Sequence, residues 1–157
     1  MKIVINKCYG GFGLSPAAVK RYAELNGKEC YFFNYDLDNM LADGKQPCTI
    51  EKASQTMMFM AYSVPNPYEV AGSQANFVEL SMEERMASNA SWDAITIDNS
   101  QMKRNDPKLI QVVEELGDAA GDKYAKLKIV EIPDGIQWEI SEYDGMETVE
   151  EAHRSWY

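Results

Sequence analysis

Three groups of residues in this chain of 157 have types and spacing that could do chemistry. The first is Tyr9-Gly10-Gly11-Phe12-Gly13, which follows a short β-branched run and precedes Ser15-Pro16. A strand, a glycine turn and a helix start leave backbone N–H groups pointing at one spot that the helix dipole favours for an anion. Phosphate or carboxylate would suit it, with Lys7, Tyr9, Gly10, Gly11, Gly13 and Ser15 as candidate ligand-binding residues. The glycine spacing differs from the dinucleotide fingerprint, and no Gly-Lys-Ser or Gly-Lys-Thr follows. The plainer reading is a tight βα connection with Phe12 or Leu14 tucked into the core.

The second group is Lys7, Arg104 and Arg154. An acidic protein that holds a phosphate needs local positive charge, and arginine offers a two-pronged contact to an oxyanion. Taken singly, each arginine reads more simply, Arg104 as capping the end of a segment or pairing with Asp106, and Arg154 as a surface pair with Glu150 or Glu151. The third group is Cys8 with His153, the only histidine. A thiolate nucleophile needs a base within reach and an orienting group, for which Asp144 or Glu147 would serve. No catalytic set is assigned from these residues. Pairs such as Glu83-Glu84 and Glu114-Glu115 carry no acid–base signal, and Trp138 and Trp156 read as core or rim aromatics, Trp156 also as an interface anchor.

Composition narrows the field. The three cysteines, Cys8, Cys30 and Cys48, are far apart and form no Cys-x-x-Cys pair, so free thiols in a reducing compartment are expected and a zinc site is not. The net charge of −10 argues against a nucleic-acid binder, which needs basic surface to displace counterions. Apolar runs such as 57–62 fall far short of a membrane span, and the N-terminus lacks the pattern of a signal peptide. No cofactor or metal is implied.

The elements that must position these groups are legible at both ends. Residues 2–6 read as a strand. Ser15 and Pro16 open a helix with Ala18, Tyr22 and Leu25 on one stripe, and Gly27 ends it. Residues 30–35 read as an aromatic strand pairing with the first, and 36–47 as a loop. Residues 49–64 contain an apolar block, Met57-Met58-Phe59-Met60, that reads as buried strand or helix, since its period does not decide. Pro65-Asn66-Pro67 is a breaker, and Ser81-Met82-Glu83-Glu84 is a capping box for a short helix to about Ser88. Residues 94–97 suggest a further strand. Asp106 and Pro107 open a second main helix that Gly117 closes. Residues 125–132 and 136–141 read as strands joined by Pro133-Asp134-Gly135 into a hairpin, and 147–157 as a short helix or turn. The expected fold is α+β in a single domain: a small mixed or antiparallel sheet, two main helices on one face, and an irregular central insertion over 36–103.

Several segments together resemble a family of small bacteriophage and prophage proteins. They are Lys2-Ile3-Val4-Ile5-Asn6-Lys7-Cys8-Tyr9-Gly10-Gly11-Phe12 with Leu14-Ser15, Arg104-Asn105-Asp106-Pro107, Val112-Val113-Glu114-Glu115-Leu116-Gly117, Leu127-Lys128-Ile129-Val130-Glu131-Ile132-Pro133-Asp134, Glu142-Tyr143-Asp144-Gly145 and His153-Arg154-Ser155-Trp156. The resemblance covers under half of the chain. It implies a phage origin and a place in the host cytoplasm, but no activity. With no catalytic set, the leading expectation is a non-enzymatic accessory protein that binds a host protein, in counter-defence or host takeover. The alternatives are a binder of a phosphorylated small molecule at the glycine loop and a virion-associated protein; self-association into a homo-oligomer is compatible with each.

Overall fold

The computed structural model describes residues 1–35, 44–56 and 59–152. The fold is α+β, with small antiparallel sheets and helices in two compact units. One unit comprises Met1–Tyr22 with Asn99–Tyr157, and the other is Ala23–Asp98.

In the first unit, strand β1 (Lys2–Asn6) pairs antiparallel with β5 (Leu127–Glu131), in a register that sets Val4 opposite Ile129 and Asn6 opposite Leu127. Ile3, Val4 and Ile5 are all buried, so both faces of β1 are covered. A continuous β-branched run rather than an alternating one is what such a strand requires. Helix α5 (Pro107–Leu116) covers β1 and β5 with Leu109, Val112 and Val113, spaced i, i+3 and i+4. Asp106 caps α5 by accepting the Lys108 N–H at 2.8 Å, and its other oxygen takes the Tyr22 hydroxyl at 2.6 Å. Helix α1 (Pro16–Leu25) starts at Ser15, whose Oγ accepts the Ala18 N–H at 3.2 Å. It ends in the expected manner at Gly27, where φ is +67° and the N–H groups of Gly27 and Lys28 return to the carbonyls of Glu24 and Ala23.

Strands β6 (Trp138–Tyr143) and β7 (Met146–Glu151) form a hairpin of their own, and β7 lies against β1. This corrects two expectations. The strand at 127–131 does not pair with the one that follows Pro133-Asp134-Gly135, and residues 147–151 are strand rather than helix or turn, while 153–157 lie outside the described residues. The decisive local signal is Asp144-Gly145, with φ of +51° and +82° between Tyr143 and Met146. Positive φ at both central residues gives the turn whose twist matches a two-residue hairpin, and Asp-Gly is its preferred sequence.

In the second unit, β2 (Tyr31–Tyr35) is central, flanked by β3 (Lys45–Cys48) and β4 (Met60–Tyr62), all antiparallel. The expected pairing of this aromatic strand with β1 is therefore incorrect: β1 already has β5, and β2 is satisfied on both edges by its own neighbours. Helices α2 (Ile50–Gln55), α3 (Pro67–Ala71) and α4 (Met82–Ile95) complete the unit. The core joins Phe33, Tyr62, Trp92 and Ile95, with edge-to-face ring contacts. The Ser81–Glu84 capping box forms as the sequence indicates, but α4 runs past Ser88 to Ile95 and takes in the first two residues of the strand expected at 94–97, of which Thr96 makes an isolated antiparallel bridge to Tyr62. Arg85, Ser88, Trp92 and Ile95 supply its inner face, a stripe diluted by small and polar residues. The described residues of 36–103 thus form β3, β4 and helices α2 to α4, where an irregular insertion was expected, and three small sheets stand among the described residues in place of the single sheet expected.

Helices α1 and α5 are also joined by charge. Arg21 donates to both oxygens of Glu115, at 2.7 and 3.1 Å, and Gln111 donates at 2.7 Å. Hydrogen bonding by Arg21, then by Gln111, lowers the Glu115 pKa from 4.5 to about 2. A depressed folded-state pKa gives stabilisation that is present above the unfolded value and lost as pH falls toward the folded one. Carboxyl-detected NMR is expected to place the Glu115 midpoint near 2, with a return toward 4.5 in Arg21→Ala.

Candidate functional site

The C-terminal end of β1 is organised by Asn6, which is fully buried. Its Nδ2 donates to the carbonyls of Cys8 at 2.5 Å and Gly145 at 2.7 Å. Its Oδ1 accepts the N–H of Lys126 at 2.9 Å and of Cys8 at 3.2 Å. Both donors and both lone pairs of the amide are used, the full capacity of the group. One side chain thereby ties the glycine loop, the segment before β5 and the β6–β7 turn together.

Glu147 is the second fixed point. Its Oε2 accepts the backbone N–H of Asn6 at 2.7 Å, and its two oxygens take Nη1 and Nη2 of Arg104, each at 2.9 Å. Carboxylate and guanidinium meet in the parallel two-bond geometry that suits both planar groups. The other face of Arg104 stacks on Phe12, 3.3 Å from Cζ to the ring centroid. Its backbone carbonyl accepts the Val4 N–H at 2.8 Å. Lys7 Nζ reaches the Glu147 carbonyl at 3.4 Å. Lys7 and Arg104 therefore do converge beside the glycine loop, but on Glu147, Arg104 on its carboxylate and Lys7 on its backbone carbonyl. The simpler sequence reading, Arg104 with Asp106, is replaced: Asp106 caps α5, and Glu147 takes Arg104.

The loop glycines are required by close approach. A Cβ on Gly10 would collide with the Tyr124 carbonyl and side chain, one on Gly13 with the Asp122 carboxylate, and one on Gly145 with the backbone of Tyr9 and Gly11. Gly11 has φ +85° but open space around it. Ser15 donates through Oγ to Ala119 O at 2.7 Å and through N–H to Ala120 O at 2.9 Å. Leu14 is buried and bridges Gly121. Ser15 at the start of α1 is thus bonded to protein carbonyls, and the Asp122 carboxylate lies close against Gly13.

Of the predicted site residues, Lys7, Tyr9, Gly10, Gly11, Gly13, Ser15 and Arg104 belong to this one region. Arg154 lies outside the described residues, as do His153 and Trp156, so the thiol–imidazole pairing lies outside them too. Cys8, Cys30 and Cys48 are in no disulfide, and no three metal-ligating side chains among the described residues gather round a point. No helix among these residues is long and apolar enough to cross a membrane. Sequence reasoning missed Asn6 altogether and weighed Glu147 only as an orienting carboxylate. The available signal was Asp144-Gly145, which sets the strand that carries Glu147 back against β1.

What the region presents outward is aromatic. Tyr9 is 66% exposed, Tyr124 43% and Tyr143 83%. They stand on the glycine loop, the segment against Gly10 and the strand end beside the Asp144-Gly145 turn, three segments held by Asn6. A second exposed apolar feature lies in the other unit, where Met82 and Met86 share the outer face of α4. No family model, curated protein or solved structure matches the chain.

Two outcomes follow for stability. Glu147→Ala leaves a half-buried guanidinium without its partner and the Asn6 N–H without an acceptor, and is expected to cost about 3–5 kcal/mol in urea unfolding, Glu147→Gln less. In the same assay Gly11→Ala is expected to lose about 1–2 kcal/mol for its positive φ, with Gly10→Ala and Gly145→Ala losing more because the added carbon meets backbone.

Proposed function

We propose that this chain is a phage-encoded, non-enzymatic accessory protein that acts by binding a host protein, in counter-defence or host takeover. The observation that carries the reading is the exposure of Tyr9, Tyr124 and Tyr143 on segments tied to one buried asparagine. Tyrosine gives a large amphipathic contact with few torsions to freeze, and interfaces concentrate their binding energy in such residues. Rigid backing lowers the ordering cost of association. Acidic surface adds the attraction that speeds encounter with a basic partner. The resemblance to phage proteins supports the origin and the cytoplasmic setting.

The alternative, a phosphorylated small molecule at the glycine loop, is less well supported. Arg104 already has Glu147, and Ser15 already has the carbonyls of residues 119 and 120. Such a ligand would have to displace internal bonds that satisfy buried groups, at a desolvation cost for each.

Affinity capture from bacterial lysate is the direct test, with native mass spectrometry of the purified chain beside it. A single stoichiometric host protein is expected, lost in Tyr9→Ala and Tyr143→Ala and kept in Met82→Ser. Removal of one anchoring tyrosine is expected to weaken binding by about 30-fold or more, while changing stability by about 0.5 kcal/mol at most. Retention of a phosphorylated small molecule in place of a protein would overturn the reading, as would particle assembly. Capture unaffected by either tyrosine would remove this surface from it.

A further inference from the structure

The β6–β7 hairpin has one edge turned to the protein and one left open. The Ala152 N–H donates to the Gln137 carbonyl at 2.8 Å, and these residues face each other in the register that sets Trp138 opposite Glu151. Opposed residues that share such a bond form the hydrogen-bonded kind of pair, which alternates with the other kind along an antiparallel ladder. Gln137, Glu139, Ser141 and Tyr143 therefore direct their backbone groups at β7. Those of Trp138, Ile140 and Glu142 point away from it. β7 turns its own outer edge toward β1, where Lys7 Nζ meets the Glu147 carbonyl. The outer edge of β6 has no such cover. It pairs with β7 alone, and among the described residues nothing bonds the backbone of 138, 140 or 142 from outside the hairpin. N–H and C=O groups at ladder spacing with no strand opposite are a template for a further strand.

The side chains define which strand fits. Trp138 and Ile140 are half-buried on the face that carries Glu147, while Glu139, Ser141 and Tyr143 stand exposed on the other. Glu150 lies directly opposite Glu139 on that outer face, and like charges so placed repel. From Trp138 to Glu151 the hairpin holds six acidic residues and no lysine or arginine, and only Glu147 has a cation among the described residues. A second copy of the chain would bring the same uncompensated charge to the edge, which opposes self-pairing. A strand with Lys or Arg beside Glu139, and apolar residues beside Trp138 and Ile140, matches both faces. The edge of β5 offers Leu127, Ile129 and Glu131 in the same way, because Met1 and Ile132 exchange both their backbone bonds. It carries Lys128 as well as Glu131, so charge selects no partner there.

We propose that the outer edge of β6 accepts, as an added strand, an extended segment of a partner protein in which basic and apolar residues alternate. The inference rests on the reading of this chain as a binder of a host protein, and names the form and chemistry of the segment bound.

The test uses the whole chain and a synthetic peptide of about seven alternating Lys and Val residues. The amides of Trp138, Ile140 and Glu142 are expected to exchange rapidly in the free chain and to slow by about tenfold or more at saturation, read by NMR. Methylating every Val nitrogen, or every Lys nitrogen, removes the donors from one edge of the peptide and keeps its charge. One isomer is expected to bind and the other not. Glu139→Lys with Glu150→Lys is expected to weaken the unmethylated peptide by about tenfold or more. Ile140→Pro removes an outward donor and no β6–β7 bond, and is expected to abolish binding. Should that variant fail to fold, the two methylated isomers decide. Equal binding of both isomers, slow exchange of the three amides in the free chain, or protection at Leu127, Ile129 and Glu131 instead overturns the proposal. So does lysate capture that Tyr9→Ala removes and that neither the paired charge reversal nor Ile140→Pro changes, an outcome that keeps the host-protein reading. Peptide bound as expected with no host protein captured leaves the edge standing and removes that reading.

Discussion

The first unit depends on how one buried polar end of a strand is satisfied. Asn6 sits where β1 leaves its ladder, and its amide and N–H could not be buried there without partners. The partners come from residues far away in sequence: Lys126 before β5, Gly145 in the β6–β7 turn and Glu147 on β7. Glu147 in turn needs a cation, and Arg104, just ahead of α5, supplies it over the Phe12 ring. Each buried group thus commits the next. The glycines then allow the backbones to come close enough for this closed set of bonds to form.

The second unit is held by a different kind of contact. Its centre is a group of rings, Phe33, Tyr62, Tyr68 and Trp92, that meet edge to face across two strands and two helices. Such contacts tolerate small shifts better than a two-bond ion pair does, because the ring quadrupole changes gradually with angle. A charged side chain enters here too, but it is answered by ring faces and an amide oxygen.

The elements that the sequence made legible are those with redundant local signals. Both α1 and α5 carry an N-cap, a proline at the first position, an apolar stripe and a closing glycine, and each forms. The α+β class followed from the same signals. Pairing partners were less legible, because strands 127–131 and 138–143 are adjacent in sequence and separated by good turn residues. What decides their partners is the continuous burial of β1, which demands a neighbour, and the Asp144-Gly145 turn, which fixes β6 to β7. The site residues were partly legible for the same reason: the glycine loop announces itself, whereas Asn6 is an unremarkable residue at a strand end. Only the polar groups it meets give it its role, and those are set by tertiary structure.

The division of the chain also bears on the order in which it can be made. Residues 23–98 are continuous, so the central unit has all its strands once that stretch has left the ribosome. The first unit cannot close then, because β1 pairs with a strand that begins at Leu127 and Asn6 waits for Gly145 and Glu147. Contacts of such sequence separation form slowly, after their loop entropy has been met. During synthesis β1, an apolar strand with both faces and its edges uncovered, is the segment exposed longest. Its brevity, with Lys2 as its first residue and Lys7 just after its last, acts as a gatekeeper through that interval.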